Sequence, residues 1–302
     1  MKNVYFLLMA LLTLLACQNS SEKTANSNAS LVSNKTMKAG TIIQQIQENV
    51  TCDWATQTVD TYKGGNAETQ VTGIATTFLA TYDVLKRAKE AGLNMIITHE
   101  PTFYNHLDET NFFEEDPVYQ KKRDFIRDND MVVFRFHDHW HRTQPDGILL
   151  GMTERLGWKQ YEIRPNELLF KLPEQPLSQL ADYLQKHFSA TSVRVVGPKD
   201  MMISQVGFSM GAPGSQAQIK ILRMDEVEVL VGGETQEWET VEYVRDAIAQ
   251  GRKKALILIG HANSEEAGMA YCADWLKAFI KDVPVQFIPA GDPFWTPAVN
   301  EK

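Results

Sequence analysis

Apolar positions along the chain fall into short continuous runs separated by stretches with helical spacing. Val71 to Leu79, Leu93 to Thr98 and Met131 to Phe136 read as strands. Between them, Tyr82 to Ala91 carries a helical pattern that Gly92 ends, and Asp116 followed by Pro117 opens a helix running to about Asn129. Pro165 to Pro176 reads as a joint. Beyond it the pattern predicts a helix over 177–187, strands over 192–197, 203–208 and 226–231, and a helix over 238–250. A strand over 255–259, a helix over 264–281 and a strand over 284–288 complete it. Strands separated by helices of this length imply βαβ units and largely parallel sheets. The expected fold is therefore α/β, with an N-terminal lobe over 39–164 and a C-terminal lobe over 165–302, each built on a mainly parallel sheet.

The first residues follow a different pattern. Lys2 supplies a positive charge, Val4 to Leu15 is almost continuously apolar, and Leu14-Leu15-Ala16-Cys17 ends the run. About twelve apolar residues are too few to span a hydrocarbon core of ~30 Å, so residues 1–16 read as a signal peptide. Its end resembles a bacterial lipobox. That resemblance implies cleavage before Cys17, lipid on its thiol and new amino terminus, and export as a membrane-anchored lipoprotein. Gln18 rather than Asp after the cysteine favours, by the same resemblance, the outer membrane facing the periplasm. Residues 17–38, rich in Ser, Asn, Thr and Lys, read as a flexible tether.

Composition narrows the class. With 302 residues, 43% hydrophobic and 23% charged, the chain is neither wholly disordered nor a polytopic membrane protein. A formal net charge of −8 supplies no basic footprint, so no nucleic acid is expected as a partner. Three cysteines exclude a dense disulfide framework, and lipidation of Cys17 leaves Cys52 and Cys272 as two thiols or one bridge.

The chemistry concentrates in histidine. Five of the seven lie between positions 99 and 141: His99, His106, His137, His139 and His141. His261 stands apart in Gly260-His261-Ala262-Asn263-Ser264-Glu265, where Asn263 or Ser264 can cap a helix. His99, His137 and His261 each lie within two residues of the end of an expected strand, and in open parallel sheets ligands bind at those carboxyl ends. The alternation in His137-Asp138-His139-Trp140-His141 would place three imidazoles on one face of an extended chain. Converging imidazoles and carboxylates are the donors that Zn, Fe, Mn or Ni use. Five or more such donors exceed what one tetrahedral ion needs, so two divalent ions with a bridging carboxylate fit better. His106 and Asp108 read as a solvated loop or as supports behind the ligands. His187, near a helix end, reads as structural, its charge suiting the helix dipole.

These segments resemble the Nif-three-like dinuclear metal-binding family, also labelled GTP cyclohydrolase I type 2 homologues, over essentially residues 39 to 295. Met95-Ile96-Ile97-Thr98-His99-Glu100-Pro101 is similar to a strand ending in that family's His-His-Pro signature, with Glu100 in place of the second histidine. His137 to His141, followed by Asp146-Gly147, sits where the family has His-Thr-Asn-Leu-Asp and then glycines. Gly207 to Gly214, Val231-Gly232-Gly233-Glu234 and Gly260 to Glu265 resemble its second lobe, and Cys52-Asp53-Trp54 its entrance segment. The resemblance implies two metals between the lobes, held by His99, Glu100, His141, His261 and Glu265, with Glu265 as the bridge. It also implies a homo-oligomer, commonly a toroidal hexamer. Two of the five depart from the family pattern and compensate: a histidine becomes Glu100 while a carboxylate becomes His141, so three imidazoles and two carboxylates remain. Asp138 is an alternative carboxylate, and further ligation by His137, Asp138 or His139 stays open.

For an enzyme with such a centre, metal-assisted hydrolysis of a small-molecule substrate is the natural class, with Glu234 and Glu266 as nearby proton-handling groups. Export and the absence of a P-loop argue against GTP ring opening. A non-catalytic metal-binding or scaffold lipoprotein is the alternative. A third reading comes from Gly207-Phe208-Ser209-Met210-Gly211, which satisfies the G-x-S-x-G elbow of a serine hydrolase, with His261 downstream and Asp246 as third member. That elbow needs a helix directly after Ser209, whereas Gly211, Pro213 and Gly214 predict a loop.

Overall fold

The computed structural model of the protein describes residues 36–163, 168–188 and 190–297. The leader, Cys17, the tether as far as residue 35, and Pro165 of the expected joint lie outside the described residues. In chain order the elements are β1 (Met37–Lys38), α1 (Ala39–Asn49), β2 (Tyr62–Gly64), β3 (Gln70–Val71), β4 (Ile74–Thr77), α2 (Tyr82–Glu90), β5 (Met95–Thr98), α3 (Pro117–Asp128), β6 (Val132–Arg135), α4 (Asp138–Arg142) and α5 (Gly147–Leu156). There follow β7 (Leu169–Pro176), α6 (Leu177–Phe188), β8 (Arg194–Val196), β9 (Met202–Ser209), α7 (Ser215–Leu222), β10 (Val229–Gly232), α8 (Glu242–Ala249), β11 (Ala255–Leu258), α9 (His261–Phe279) and β12 (Val285–Phe287).

Among the described residues two five-stranded sheets form, in the orders β12-β4-β5-β6-β2 and β7-β9-β10-β11-β8. In the first, β12, β4, β5 and β6 run parallel and β2 closes one edge antiparallel. In the second, β9, β10 and β11 are parallel, with β7 and β8 antiparallel at the edges. Every residue of β4, β5, β6, β10 and β11 is buried, which is why those runs are continuously apolar rather than alternating. The helices begin where capping side chains allow. The Thr81 hydroxyl accepts from the Val84 N–H to start α2, and the Asp116 carboxylate accepts from the Val118 and Tyr119 N–H groups to start α3. The protein is thus a mixed α/β fold with mainly parallel sheets.

Several boundaries differ from the expectation. The apolar run from Val71 to Leu79 is divided, because β3 pairs with β1 in a small antiparallel sheet and β4 begins only after Thr72 and Gly73. Thr72 is held there by the Asn94 side chain. The expected joint is for most of its length the edge strand β7, whose register shifts between Lys171 and Gln175 and whose prolines are tolerated at an edge. Strand β12, which a division at residue 165 assigns to the C-terminal lobe, crosses back and pairs in parallel with β4. Both sheets belong to one compact unit of the described residues. Cys52 and Cys272 are free thiols. No helix among the described residues is long and apolar enough to cross a membrane.

Helix α9 links the two sheets and carries His261 and Glu265. The Thr76 hydroxyl on β4 donates to the Met269 carbonyl at 2.8 Å, and the Trp140 indole donates to the Gly268 carbonyl at 3.3 Å. Helix α5 meets α9 backbone to backbone: a Cβ on Gly151 would lie 2.4 Å from the Ala267 carbonyl oxygen, and one on Gly268 would lie 2.5 Å from Ile148 Cα. Gly151→Ala should therefore force the helices apart and lower unfolding free energy by about 1–3 kcal/mol. Urea denaturation with an unchanged midpoint would refute so close a contact.

Candidate metal centre

The segments that carry the imidazoles leave the carboxyl ends of neighbouring strands. Strand β5 runs into His99 and Glu100, β6 ends two residues before His137, and β11 is followed by Ile259, Gly260 and His261. The segment from His137 to His141 is not extended. A single carboxylate explains why: Asp60 Oδ1 accepts from the backbone N–H groups of His137 and Asp138 at 2.7 and 2.9 Å, and its Oδ2 accepts from that of His139 at 2.9 Å. Three N–H groups satisfied in this way nucleate α4. On a helical turn His137 and His141, four apart, share a face, and His139 points elsewhere.

His139 points into a separate, fully buried contact. Its Nδ1 donates to Asp60 Oδ2 at 2.6 Å, its Nε2 accepts from the Ala55 N–H at 2.8 Å, and Trp54 stacks on the ring at 3.7 Å between centroids. Both ring nitrogens are occupied, so His139 braces the segment containing Cys52-Asp53-Trp54 and offers no atom to a metal. Asp138 also turns away, its Oδ2 accepting from the Thr58 hydroxyl and the Val59 N–H. Those bonds and His137 outweigh its partial burial and lower its pKa to about 2.

Four imidazoles, those of His99, His137, His141 and His261, converge, and each anchors Nδ1 on an oxygen. His99 Nδ1 donates to the Phe136 carbonyl at 3.3 Å, His137 Nδ1 to Asp138 Oδ1 at 3.0 Å, His141 Nδ1 to Asp146 Oδ2 at 3.0 Å, and His261 Nδ1 to Glu234 Oε2 at 3.3 Å. Every Nε2 then faces the others or a carboxylate. His99 and His141 stand 3.2 Å apart, nitrogen to nitrogen. Glu265 Oε2 lies 3.1 Å from His261 Nε2 and 3.6 Å from His99 Nε2, and Glu265 Oε1 lies 3.9 Å from His141 Nε2. Glu100 Oε1 lies 3.4 Å from His261 Nε2 and 3.7 Å from His137 Nε2. The donors of His99, His137 and His141 fall within 4.8 Å of one another, as do those of His99, Glu100 and Glu265. Imidazole nitrogens and carboxylate oxygens in this arrangement fit divalent transition metals. The five positions expected from sequence come together, and His137 joins them.

Electrostatics follow from burial. Desolvation, reinforced by His141 and His137, holds the His99 pKa well below the usual value, so this ring is neutral. Burial also pulls on His261, but hydrogen bonds that its Nε2 donates to Glu100 and Glu265 outweigh it and raise its pKa to about 10. His141 is raised too, with Asp146 overcoming desolvation. Glu100 is lowered, because His261, His137 and Arg135 outweigh its own burial.

The remaining candidates lie outside this group. Glu266 accepts from the Ala290 and Gly291 N–H groups and fastens the C-terminal segment. His187 Nε2 bonds the Arg155 carbonyl at the end of α6. Ser209 is buried, α7 begins only at Ser215, and no hydrogen bond joins Ser209 to His261 among the described residues. Asp246 is exposed on α8. The G-x-S-x-G glycine has a different use. Gly211, at φ +61°, donates its N–H to the Ser264 hydroxyl, and a Cβ there would lie 2.2 Å from Glu265 Oε1. Gly211 is the floor beneath the central carboxylate, and no spacing in the sequence marks it as such.

Comparison with known proteins places this geometry in context. Residues 37–293 match the family model described as Duf34/NIF3 (NGG1p interacting factor 3). A GTP cyclohydrolase 1 type 2 homolog from Clostridium perfringens is 22% identical over 243 residues, covering 76% of this chain and 88% of that protein. Among solved structures, a Bacillus cereus protein related to NIF3 superposes with a TM-score of 0.68 at 15% identity, covering 86% of this chain and 99% of the other. Staphylococcus aureus protein SA1388 gives 0.66 at 17% identity over the same shares. Both show the same fold.

The charge balance predicts a pH response in metal-free protein. His261 has a folded pKa raised above its unfolded value of about 6.5, so its stabilising contribution is complete below that pH and is lost as pH rises towards about 10. NMR titration of the His261 ring should find it protonated at pH 8; a midpoint below 7 would contradict the pairing with Glu100 and Glu265.

Proposed function

The chain belongs to the Duf34/NIF3 family, and from that premise and the geometry of its histidines we propose that it holds two divalent metal ions and hydrolyses a small-molecule substrate with them. One observation carries the reading. Four imidazoles each donate Nδ1–H to a carbonyl or carboxylate and turn Nε2 inward, which is how proteins fix ligating histidines. His139, with both nitrogens engaged, provides the internal contrast.

In this reading Glu265 is the bridge. Its Oε1 is directed at His141 and its Oε2 at His99 and His261, so one carboxylate faces both halves of the group. Glu100 and His137 complete the set beside His99, His141 and His261. Bound divalent ions supply Lewis acidity and lower the pKa of water. Glu234, more than half exposed behind His261, orients that ring and can exchange a proton with solvent. A non-catalytic metal-binding role rests on the same six residues and is separated from hydrolysis by turnover alone.

Elemental analysis should find two metals per chain. Glu265→Gln should lose most of both, Glu100→Gln mainly one, and His139→Phe neither. Full occupancy in Glu265→Gln would remove it as the bridge. Model phosphodiesters, esters and amides should be screened, with hydrolysis abolished by chelation and restored by metal. Two metals without turnover would favour a binding role, and metal-independent ester hydrolysis lost in Ser209→Ala would favour the serine reading.

We further propose that Cys17 carries the lipid that holds the protein to a membrane. Cys17→Ala should then move the protein from the membrane pellet to the soluble fraction, and retention in the pellet would sink the proposal.

A further inference from the structure

Behind Glu100 lies a cation that the metal-centre reading does not use. Arg135, the last residue of β6, pairs in register with Thr98 of β5 and is completely buried. Its Nε donates to the His99 carbonyl at 3.2 Å and its Nη1 donates to the His106 carbonyl at 2.5 Å. Nη2 has no hydrogen-bond partner and stands 3.6 Å from Glu100 Oε2. On its other side Arg135 Nη1 lies 3.7 Å from Asp108 Oδ2, which Lys63 also approaches at 3.3 Å. Asp108 cannot swing closer, because its Oδ1 accepts from the Thr102 and Phe103 N–H groups. A buried guanidinium requires anionic neighbours, and Glu100 is the one facing its open nitrogen.

The two oxygens of Glu100 therefore face different partners. Oε1 points at the Nε2 atoms of His261 and His137, whereas Oε2 points at Arg135. We propose that Arg135 is a positioning residue that makes Glu100 a one-oxygen metal ligand, giving a side chain capable of chelation the donor count of a single imidazole. The inference rests on the metal-centre reading above. Turning Oε2 toward an ion would take the nearest anion from a fully buried cation, so the carboxylate stays divided. Arg135 also places a positive charge behind the centre, which opposes a divalent ion.

Mn²⁺ is a suitable probe, because it accepts carboxylate oxygen in either mode. Infrared difference spectra between Mn²⁺-loaded and metal-free protein report the mode: one-oxygen ligation gives a wide separation of the antisymmetric and symmetric carboxylate stretches, and chelation a narrow one. The Glu100 bands are identified by their absence in Glu100→Gln. Wild type should show the wide separation at these bands and Arg135→Met the narrow one. Arg135→Lys, which keeps a cation near Oε2, should retain the wide form. Mn²⁺ should bind Arg135→Met about tenfold more tightly, since an opposing charge is gone and an oxygen is gained. If Arg135→Met does not fold, Arg135→Gln is read in the same way. Wild type that binds Mn²⁺ but shows a narrow Glu100 separation, or no change on replacing Arg135, overturns this inference alone. Wild type that binds no divalent ion overturns the metal-centre reading and this inference with it.

Discussion

Carboxylates taken out of water must be compensated, and the site is organised around that requirement. Glu265 is almost wholly buried and Glu100 nearly so. In the metal-free chain their charge is met by a protonated His261 and by Arg135, while His99, deeper still, remains neutral. Divalent cations would meet the same requirement by displacing a proton from His261. On the proposed metal reading His261 therefore serves both states, compensating the carboxylates in the apo cluster and acting as a ligand after losing its proton, so that binding would be coupled to proton release.

The scaffold provides the burial. Parallel strands end at one level and deliver His99, Glu100 and His137 from the first sheet, and the segment after β11 delivers His261 from the second. Helix α9 can bring Glu265 into the gap because Gly151 and Gly268 let α5 lie directly on its backbone and because Gly211 leaves room for the carboxylate. Larger side chains at those three positions would displace Glu265 through packing alone. The return of β12 to the first sheet fixes the far end of α9 and makes the two sheets a single unit.

The division of labour among the histidines comes from Asp60. One buried carboxylate caps three successive N–H groups, coils the His137–His141 segment, and takes the His139 ring as its own partner. The coil sets His137 and His141 on the face that meets His99. An extended segment would have placed all three on one face, and the set of converging imidazoles would have been larger by one.

Local pattern was sufficient for much of this. Continuous apolar runs identified strands buried on both faces, the Asp116 cap began its helix, and the imidazole-rich ends of three strands located the cluster, because burial and capping act over a few neighbouring residues. Those same residues carried the likeness to the family. The sequence could not reveal what depends on distant partners. Asp60 acts on residues 77 to 79 positions away, Arg135 meets Glu100 across adjacent strands, and Gly211, in the loop after β9, lies under a carboxylate from helix α9. Alternation at 137–141 reads as extended until the remote cap is in place, and G-x-S-x-G reads as an elbow until the loop after Ser209 is seen closing on Glu265. Periodicity records which face a residue shows to the core. Only tertiary contact decides which nitrogen or oxygen is left free, since each atom's partner comes from elsewhere in the chain.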